Sequence, residues 1–407
     1  MINRALSVML LFWLNGSMLF SLETIENLVK NKDITYCVPT IAHPEHCVFV
    51  CDVGGTNTRC ALVEVDKNQQ NFIFVLRVLT QDIAAFADVI SQALAIAWQK
   101  YNITVTKAVC AVAGSPTKDT DIWMLPHVVW SVGRKEILQK TPITSMVFLN
   151  DFEAIGYSLE VLTEKDLVCL NRGIVTKHEN KVILGAGTGL GKCIVAWNPL
   201  AENYVVVQSG GAHADFPIHS QKEIELIHFL QNESKSHVPV RYEVLLSGQG
   251  IAAIYKFFEQ TGAYAMTEYT STIQKHNYDP AVIARYKDVD DCCKKTFELF
   301  TAFYGRAAKN FAIEAGAFGG VYLAGGIAAK NPDMFSNDCF MPEFLNNAIF
   351  KDFLKQTPIF IIMNQDAGLL GAAHFAYLRW WTEYAPRRLL PRIRKYNILG
   401  TCLNTVK

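Results

Sequence analysis

The stretch Cys47–Glu64, CVFVCDVGGTNTRCALVE, constrains the chain more than any other. An apolar run, an acid, a Gly-Gly-Thr-Asn turn and a second apolar run alternating with small or polar residues spell a strand, a tight turn and an antiparallel strand. Such a turn aims several backbone N–H groups at one point and adds a hydroxyl, a combination suited to phosphate. One such loop is weak evidence, since most Gly-Gly turns are only turns. The same order returns at Lys181–Trp197, KVILGAGTGLGKCIVAW, and Gly319–Ile327, GGVYLAGGI, runs a buried strand into a third glycine pair. Repeated strand, loop, strand modules in two halves predict a duplicated α/β domain with a cleft between.

The charge balance narrows the ligand. Lys plus Arg and Asp plus Glu both number 38, so no global basic excess marks a nucleic-acid binder, and a small partner whose charge is handled locally fits better. The 11 cysteines are odd in number and lack a CxxC pair or a Cys/His cluster. That argues against a disulfide framework or a zinc site and for reduced, mostly buried thiols. Ala5–Leu14 is an apolar run behind Arg4, too short to span a bilayer but of the length of a signal-peptide core. Residues 1–44 therefore read as an extension or a signal-like segment ahead of a domain beginning near Pro44. No clear A-x-A cleavage site follows, which places the chain in the cytoplasm with export as the alternative. Residues 382–407 form a basic tail in which Pro386 and Pro391 interrupt any long amphipathic helix, an argument against a membrane surface.

Between these marks, Asn71–Leu79 reads as a third strand of the first sheet, and Ile83–Lys100 as a helix with Phe86, Val89, Ile90, Ala93, Leu94 and Ala97 at helical spacing. Lys107–Val112 and Ser145–Leu149 read as strands, with a short helix at Gly133–Gln139 before the latter. Asn150 and Asp151 stand just past a strand's C-terminal end, where ligands of α/β folds gather. Phe152–Leu162 reads as the next helix, with Asp151 also placed to cap it. Lys222–Gln231, Ser247–Gln260 and Cys292–Gly316 read as further helices, the last with a core-facing aromatic stripe. Pro358–Met363 is a final strand, and Ala367–Trp381 a small-residue helix that returns to the first half. The expected division is a small domain at 45–150 with the returning helix 367–381, and a large domain at 151–366.

In order along the chain come DVGGTN at Asp52, LNDF at Leu149, GAGTGLG at Gly185, GGAHADF ending at Phe216, an acid four residues before SGQG at Glu243, AGGI at Ala324 and GLLGAAH at Gly368. This order resembles the bacterial-type glucokinase family, within the hexokinase/actin-like ATPase fold, over about residues 47 to 380. The resemblance implies two ribonuclease H-like domains around a cleft and phosphorylation of the 6-hydroxyl of glucose by ATP, the entry to glycolysis. It makes Asp151 the catalytic base, taking the proton of a hydroxyl too weakly nucleophilic to attack unaided. Asn150, Asp151, His213 and Glu243 match the sugar-contacting positions. Cys51, Asp52, Val53, Gly54, Gly55, Thr56 and Asn57 match the first phosphate loop, Gly187, Thr188 and Gly189 the second, and Gly325 and Gly326 the loop beside adenine and ribose. Mg²⁺ is implied with ATP, facing Asp52 through water because the metal keeps much of its hydration shell. Relatives are commonly homodimers. The zinc-binding cysteine cluster of the related repressor-type sugar kinases is missing here.

Two positions depart from that family's pattern. The family carries a glutamate three residues before the histidine, whereas in Gln208-Ser209-Gly210-Gly211-Ala212-His213 the place is held by Gly210 and no acid lies in the run. Losing one charged hydrogen-bond partner is expected to weaken sugar binding by about 1.5 to 3 kcal/mol, or about 10- to 100-fold. Pro126-His127 stands where relatives show Thr-Asn before Trp130. Beside glucokinase, two alternatives therefore stay open: a kinase of the same fold for another hexose, and a non-catalytic sugar or nucleotide sensor.

Overall fold

The computed structural model describes residues 32–38, 41–67, 69–117, 121–125, 128–336 and 338–382. The signal-like run Ala5–Leu14, the Pro126-His127 pair and the tail beyond Thr382 lie outside the described residues. The first sheet has the order β1-β4-β3-β2-β5-β6, from Lys32–Tyr36 (β1), Cys47–Val53 (β2), Asn57–Val65 (β3), Gln70–Leu79 (β4), Lys107–Val112 (β5) and Ser145–Asn150 (β6). Strands β2 to β4 form an antiparallel meander, and β5 and β6 extend it in parallel from β2. The second sheet, β7-β12-β11-β8-β9-β10, uses Leu167–Asn171 (β7), Lys181–Ala186 (β8), Leu190–Asn198 (β9), Asn203–Gln208 (β10), Gly320–Ala324 (β11) and Ile359–Ile362 (β12). Its β8 to β10 are again an antiparallel meander, and β11 and β12 again add in parallel. The two sheets repeat one topology, as the paired hairpins predict.

Each sheet also carries an antiparallel edge strand that the sequence reading passes over: β1 on β4, and β7 on β12. The first corrects the boundary near Pro44. Lys32–Tyr36 is part of the first sheet, and Tyr101 Oη donates to the Val38 carbonyl at 3.0 Å to hold the following residues down. In so short a strand only Ile34, packed on the core of the first sheet, and Tyr36, beside Phe74, supply apolar contact, and most of its structure comes from the edge it joins.

Five helices matter for the site: Phe86–Tyr101 (α1), Asp151–Ser158 (α2), Gly248–Gln260 (α3), Asp291–Ala315 (α4) and Ala367–Trp380 (α5). Strand β2 is buried on both faces, with Phe49, Cys51 and Val53 in the layer shared with α1, and Val48 and Val50 in the layer shared with α5. Such two-sided burial accounts for a nearly continuous apolar run. Helices α2 and α5 pack on each other. Ala154 of α2 belongs to the core beneath the first sheet, while Phe152 joins Ile183, Cys193 and Val195 of the second. The aromatic stripe of α4, including Phe300, Phe303 and Tyr304, fills the core on the other face of the second sheet. Among the described residues the chain passes from the first six-stranded sheet to the second at Asn150–Asp151, and returns to the core of the first through Met363–Asp366 and α5.

Helix α2 ends at Ser158 rather than Leu162, because the N–H groups of both Val161 and Leu162 turn back to the Ser158 carbonyl. Its approach to the second sheet depends on Gly191, where an added Cβ would lie 1.9 Å from the Phe152 ring. Gly191→Ala is expected to destabilise the protein by about 1 to 3 kcal/mol, as overpacking does, and to lower turnover by displacing the helix that starts at Asp151. Urea unfolding checks the first part, and an unchanged midpoint contradicts it.

Candidate active site

Strand β6 runs directly into α2, so Asn150 ends one element and Asp151 begins the next. Asn150 is the helix cap: its Oδ1 accepts from the Phe152 N–H at 3.0 Å, and the Glu153 carboxylate accepts from the Asn150 N–H at 3.3 Å. This capping box corrects the cap role considered for Asp151 and leaves that carboxyl available. Burial, and after it the charge of Asp52, pushes the Asp151 carboxyl up to about 7, against the pull of the Phe152 and Asp151 N–H groups and the Asn150 side chain. Burial likewise pushes Glu153 up to about 7. A base accepts a proton only when ionised, so kcat/KM is expected to fall about tenfold per pH unit below about 7. Asp52→Asn removes a like charge and moves that limb to lower pH. A flat profile between about pH 5 and 8 would contradict the assignment.

The first phosphate loop is braced from behind. Gly54 N–H donates to the Asn57 carbonyl at 3.0 Å, and Thr80 ties down both sides by donating its hydroxyl to the Gly54 carbonyl at 2.7 Å and its N–H to the Thr56 carbonyl at 2.9 Å. Gly55, Thr56 and Asn57 are exposed, and a Cβ at Gly55 would meet nothing within 4 Å. Of the residues predicted here, Cys51 and Val53 are fully buried, with their side chains in the core against α1. Only their backbone can face a nucleotide, because alternation along β2 turns Asp52 the other way. In the second loop Gly187 N–H closes on the Gly189 carbonyl at 2.8 Å and Thr188 is exposed. In the third, Gly325 has φ +86°, and a Cβ there would lie 2.5 Å from the Ala186 carbonyl oxygen, so both conformation and space demand glycine. Its neighbour Gly326 opens onto free space.

His213 and Glu243 meet because their segments are laced together. Phe216 N–H donates to the Val240 carbonyl at 2.8 Å and Tyr242 N–H to the Ala214 carbonyl at 3.0 Å. His213 Nδ1 then lies 3.9 Å from Glu243 Oε2, and a Cβ on Gly189 would sit 3.1 Å from that same oxygen. His213, Glu243 and the second glycine loop thus come together, and Asp52 is near enough to Asp151 for its charge to be felt there. No hydrogen bond or ion pair joins Asp151 to His213 or Glu243 among the described residues. Gly210 has φ −81° and a hypothetical Cβ with nothing within 4 Å, so neither backbone nor packing requires glycine there.

Sequence reasoning missed Glu153, although Asn150-x-x-Glu153 is a capping-box pattern, and Arg59, which is paired across the hairpin with Asp52. It also missed Lys192, a buried ammonium that pairs with Glu314 and lies against Gly211 of the sugar loop. Among the described residues no group of three or more His, Cys, Asp or Glu side chains is arranged to hold a metal ion. A magnesium that arrives with a nucleotide needs only one or two carboxylates, and Asp52, beside the first phosphate loop, fits that demand.

Duplicated sheets, glycine loops following corresponding strands and a carboxyl at the crossover define a phosphotransferase of the actin-like ATPase fold. The glucokinase family model matches residues 49–378, and the chain belongs to the glucokinase family. It is 30% identical over 337 residues to glucokinase of Nostoc punctiforme, spanning 79% of this chain and 96% of that protein. It is 31% identical over 341 residues to glucokinase of Trichormus variabilis, with the same coverage. Among solved structures, glucokinase from an Antarctic psychrotroph superposes with a TM-score of 0.69 at 24% identity, covering 81% of this chain and 98% of that one. Glucokinase of Balamuthia mandrillaris in complex with glucose gives 0.65 at 20% identity, covering 87% and 98%. A ROK family glucokinase from Streptomyces griseus in complex with glucose and AMPPNP gives 0.53 at 15% identity, covering 80% and 98%.

Proposed function

We propose that this protein is a glucokinase that transfers the γ-phosphoryl group of ATP to the 6-hydroxyl of glucose. One observation carries the chemistry: the Asp151 carboxyl, raised to about 7 by burial and by Asp52, stands at the crossover between two sheets that each present an open glycine loop. Asp151 accepts the 6-hydroxyl proton as the new O–P bond forms and the β–γ P–O bond breaks, and ADP leaves. Asn150 spends Oδ1 on the helix cap and an amide N–H on Asp151, so its remaining amide N–H is what it offers the sugar. His213 and Glu243 supply a donor or acceptor and a carboxylate to further hydroxyls. The N–H groups of the Gly54–Asn57 and Gly187–Gly189 turns cradle the phosphates, and Gly325 and Gly326 leave room for the nucleoside. Magnesium, held through water by Asp52, supplies charge neutralisation at the phosphates when bound.

The two sheets form two domains divided near Asp151 and Asp366, and their closure excludes the water that would otherwise hydrolyse ATP. The reaction belongs in the cytoplasm, where ATP is; no helix of the described residues is long and apolar enough to cross a membrane. The family resemblance adds a homodimer as the expected assembly. The relatives' names favour glucose over another hexose or a non-catalytic sensor. An ADP-release assay of the full chain with Mg·ATP and a hexose panel tests this, with glucose expected to give the highest kcat/KM. Preference for another hexose contradicts the substrate assignment.

A further inference from the structure

The carboxylate of Asp52 is held by more than its own strand. Arg59 faces it across the hairpin, with Nη1 at 3.5 Å from Asp52 Oδ2. The same nitrogen donates to the Gln365 carbonyl, and Nε lies 3.9 Å from Asp366 Oδ1. Gln365 and Asp366 belong to the Met363–Asp366 crossover. From the other side that crossover is tied to the second sheet's half, since Asp166 accepts from Met363 N–H at 2.7 Å and from Asn364 Nδ2 at 2.8 Å. The first turn of α5 closes over Asp52 as well: a Cβ on Gly368 would lie 2.9 Å from its Oδ2. The Arg59 and Asp52 side chains are only 22% and 21% exposed, unlike the solvated pairs that contribute little.

We propose that Arg59 is the positioning residue for Asp52, fixing that carboxylate relative to the crossover and thereby setting the affinity for Mg·ATP. The inference rests on the reading of Asp52 as the residue facing magnesium. A guanidinium suits the task because Nη1 meets the Asp52 carboxylate and the Gln365 carbonyl while Nε, at the other end of the same plane, faces Asp366, a reach that a single ammonium nitrogen does not have. Arg77 supplies the control: it pairs with Asp366 at 3.1 Å and donates to Thr35 Oγ1 at 3.3 Å, without a role at Asp52.

The test is calorimetric binding of Mg·ATP to the full chain in an Asp151→Asn background, beside steady-state KM values in the otherwise native protein. Arg59→Met is expected to weaken Mg·ATP binding and raise its KM by about tenfold or more, the scale of one charged hydrogen bond. The glucose KM stays within about threefold, and Arg59→Lys, which keeps a cation near Asp52, recovers part of the loss. Arg77→Met leaves Mg·ATP binding within about threefold. Equal losses for both substrates in Arg59→Met overturn the proposal, since that is what a merely structural residue gives. If Arg59→Met does not fold, Arg59→Lys carries the test, and an affinity equal to the parent's overturns it. Asp52→Asn with unchanged Mg·ATP affinity overturns the reading of Asp52 and the proposal together. Weakened Asp52→Asn beside unchanged Arg59→Met overturns the proposal alone.

Discussion

Asp151→Asn is expected to lower kcat by about 10² to 10⁴-fold, the range that general base catalysis supplies, while the KM values for glucose and Mg·ATP stay within about threefold. The amide keeps the size of the side chain and its place in the first turn of α2, and the helix cap belongs to Asn150 and Glu153. Folding is therefore expected to survive the change. What disappears is the proton acceptor. Because burial and Asp52 hold the native carboxyl near neutrality, the variant also loses the acid limb of the pH profile. Pre-steady-state ADP formation checks both effects, and a variant with native turnover would remove Asp151 from the mechanism.

Gly210→Glu is expected to act in the opposite direction, tightening glucose binding by about 10- to 100-fold through one charged hydrogen-bond partner. The loop has room for it: Gly210 lies at φ −81° and ψ 13°, and a Cβ there meets nothing within 4 Å. The buried ammonium of Lys192 beneath Gly211 offers a favourable field for a new carboxylate. The comparison to make is glucose KM for the variant and the parent at saturating Mg·ATP. An unchanged value would mean that His213, Glu243 and Asn150 already satisfy the sugar, and that the glycine costs the protein nothing.

Sequence pattern carries the fold as far as its repeated strands do. The hairpins at Cys47–Glu64 and Lys181–Trp197 are legible because apolar runs and glycine turns recur in the same order, and both appear as β2–β3 and β8–β9. The edge strands β1 and β7 are not legible, since each is only five residues long and is defined by pairing with a strand remote in sequence, β4 for one and β12 for the other. At the site, Asp151, His213 and Glu243 stand in short motifs. By contrast, Arg59 and Lys192 also depend on partners far along the chain, Gln365 at a separation of 306 residues for one and Glu314 at 122 for the other. The placement of Cys51 and Val53 in the core shows the converse limit. A motif names a segment, and alternation along the strand then decides which of its side chains a ligand can meet.

The most direct test of the central claim is the product formed by the full chain from glucose and Mg·ATP, read as glucose 6-phosphate released per ADP. The assigned chemistry predicts one glucose 6-phosphate for each ADP, abolished with the turnover in Asp151→Asn. ADP release without a phosphorylated sugar, or ATP binding with no turnover on glucose, would contradict it.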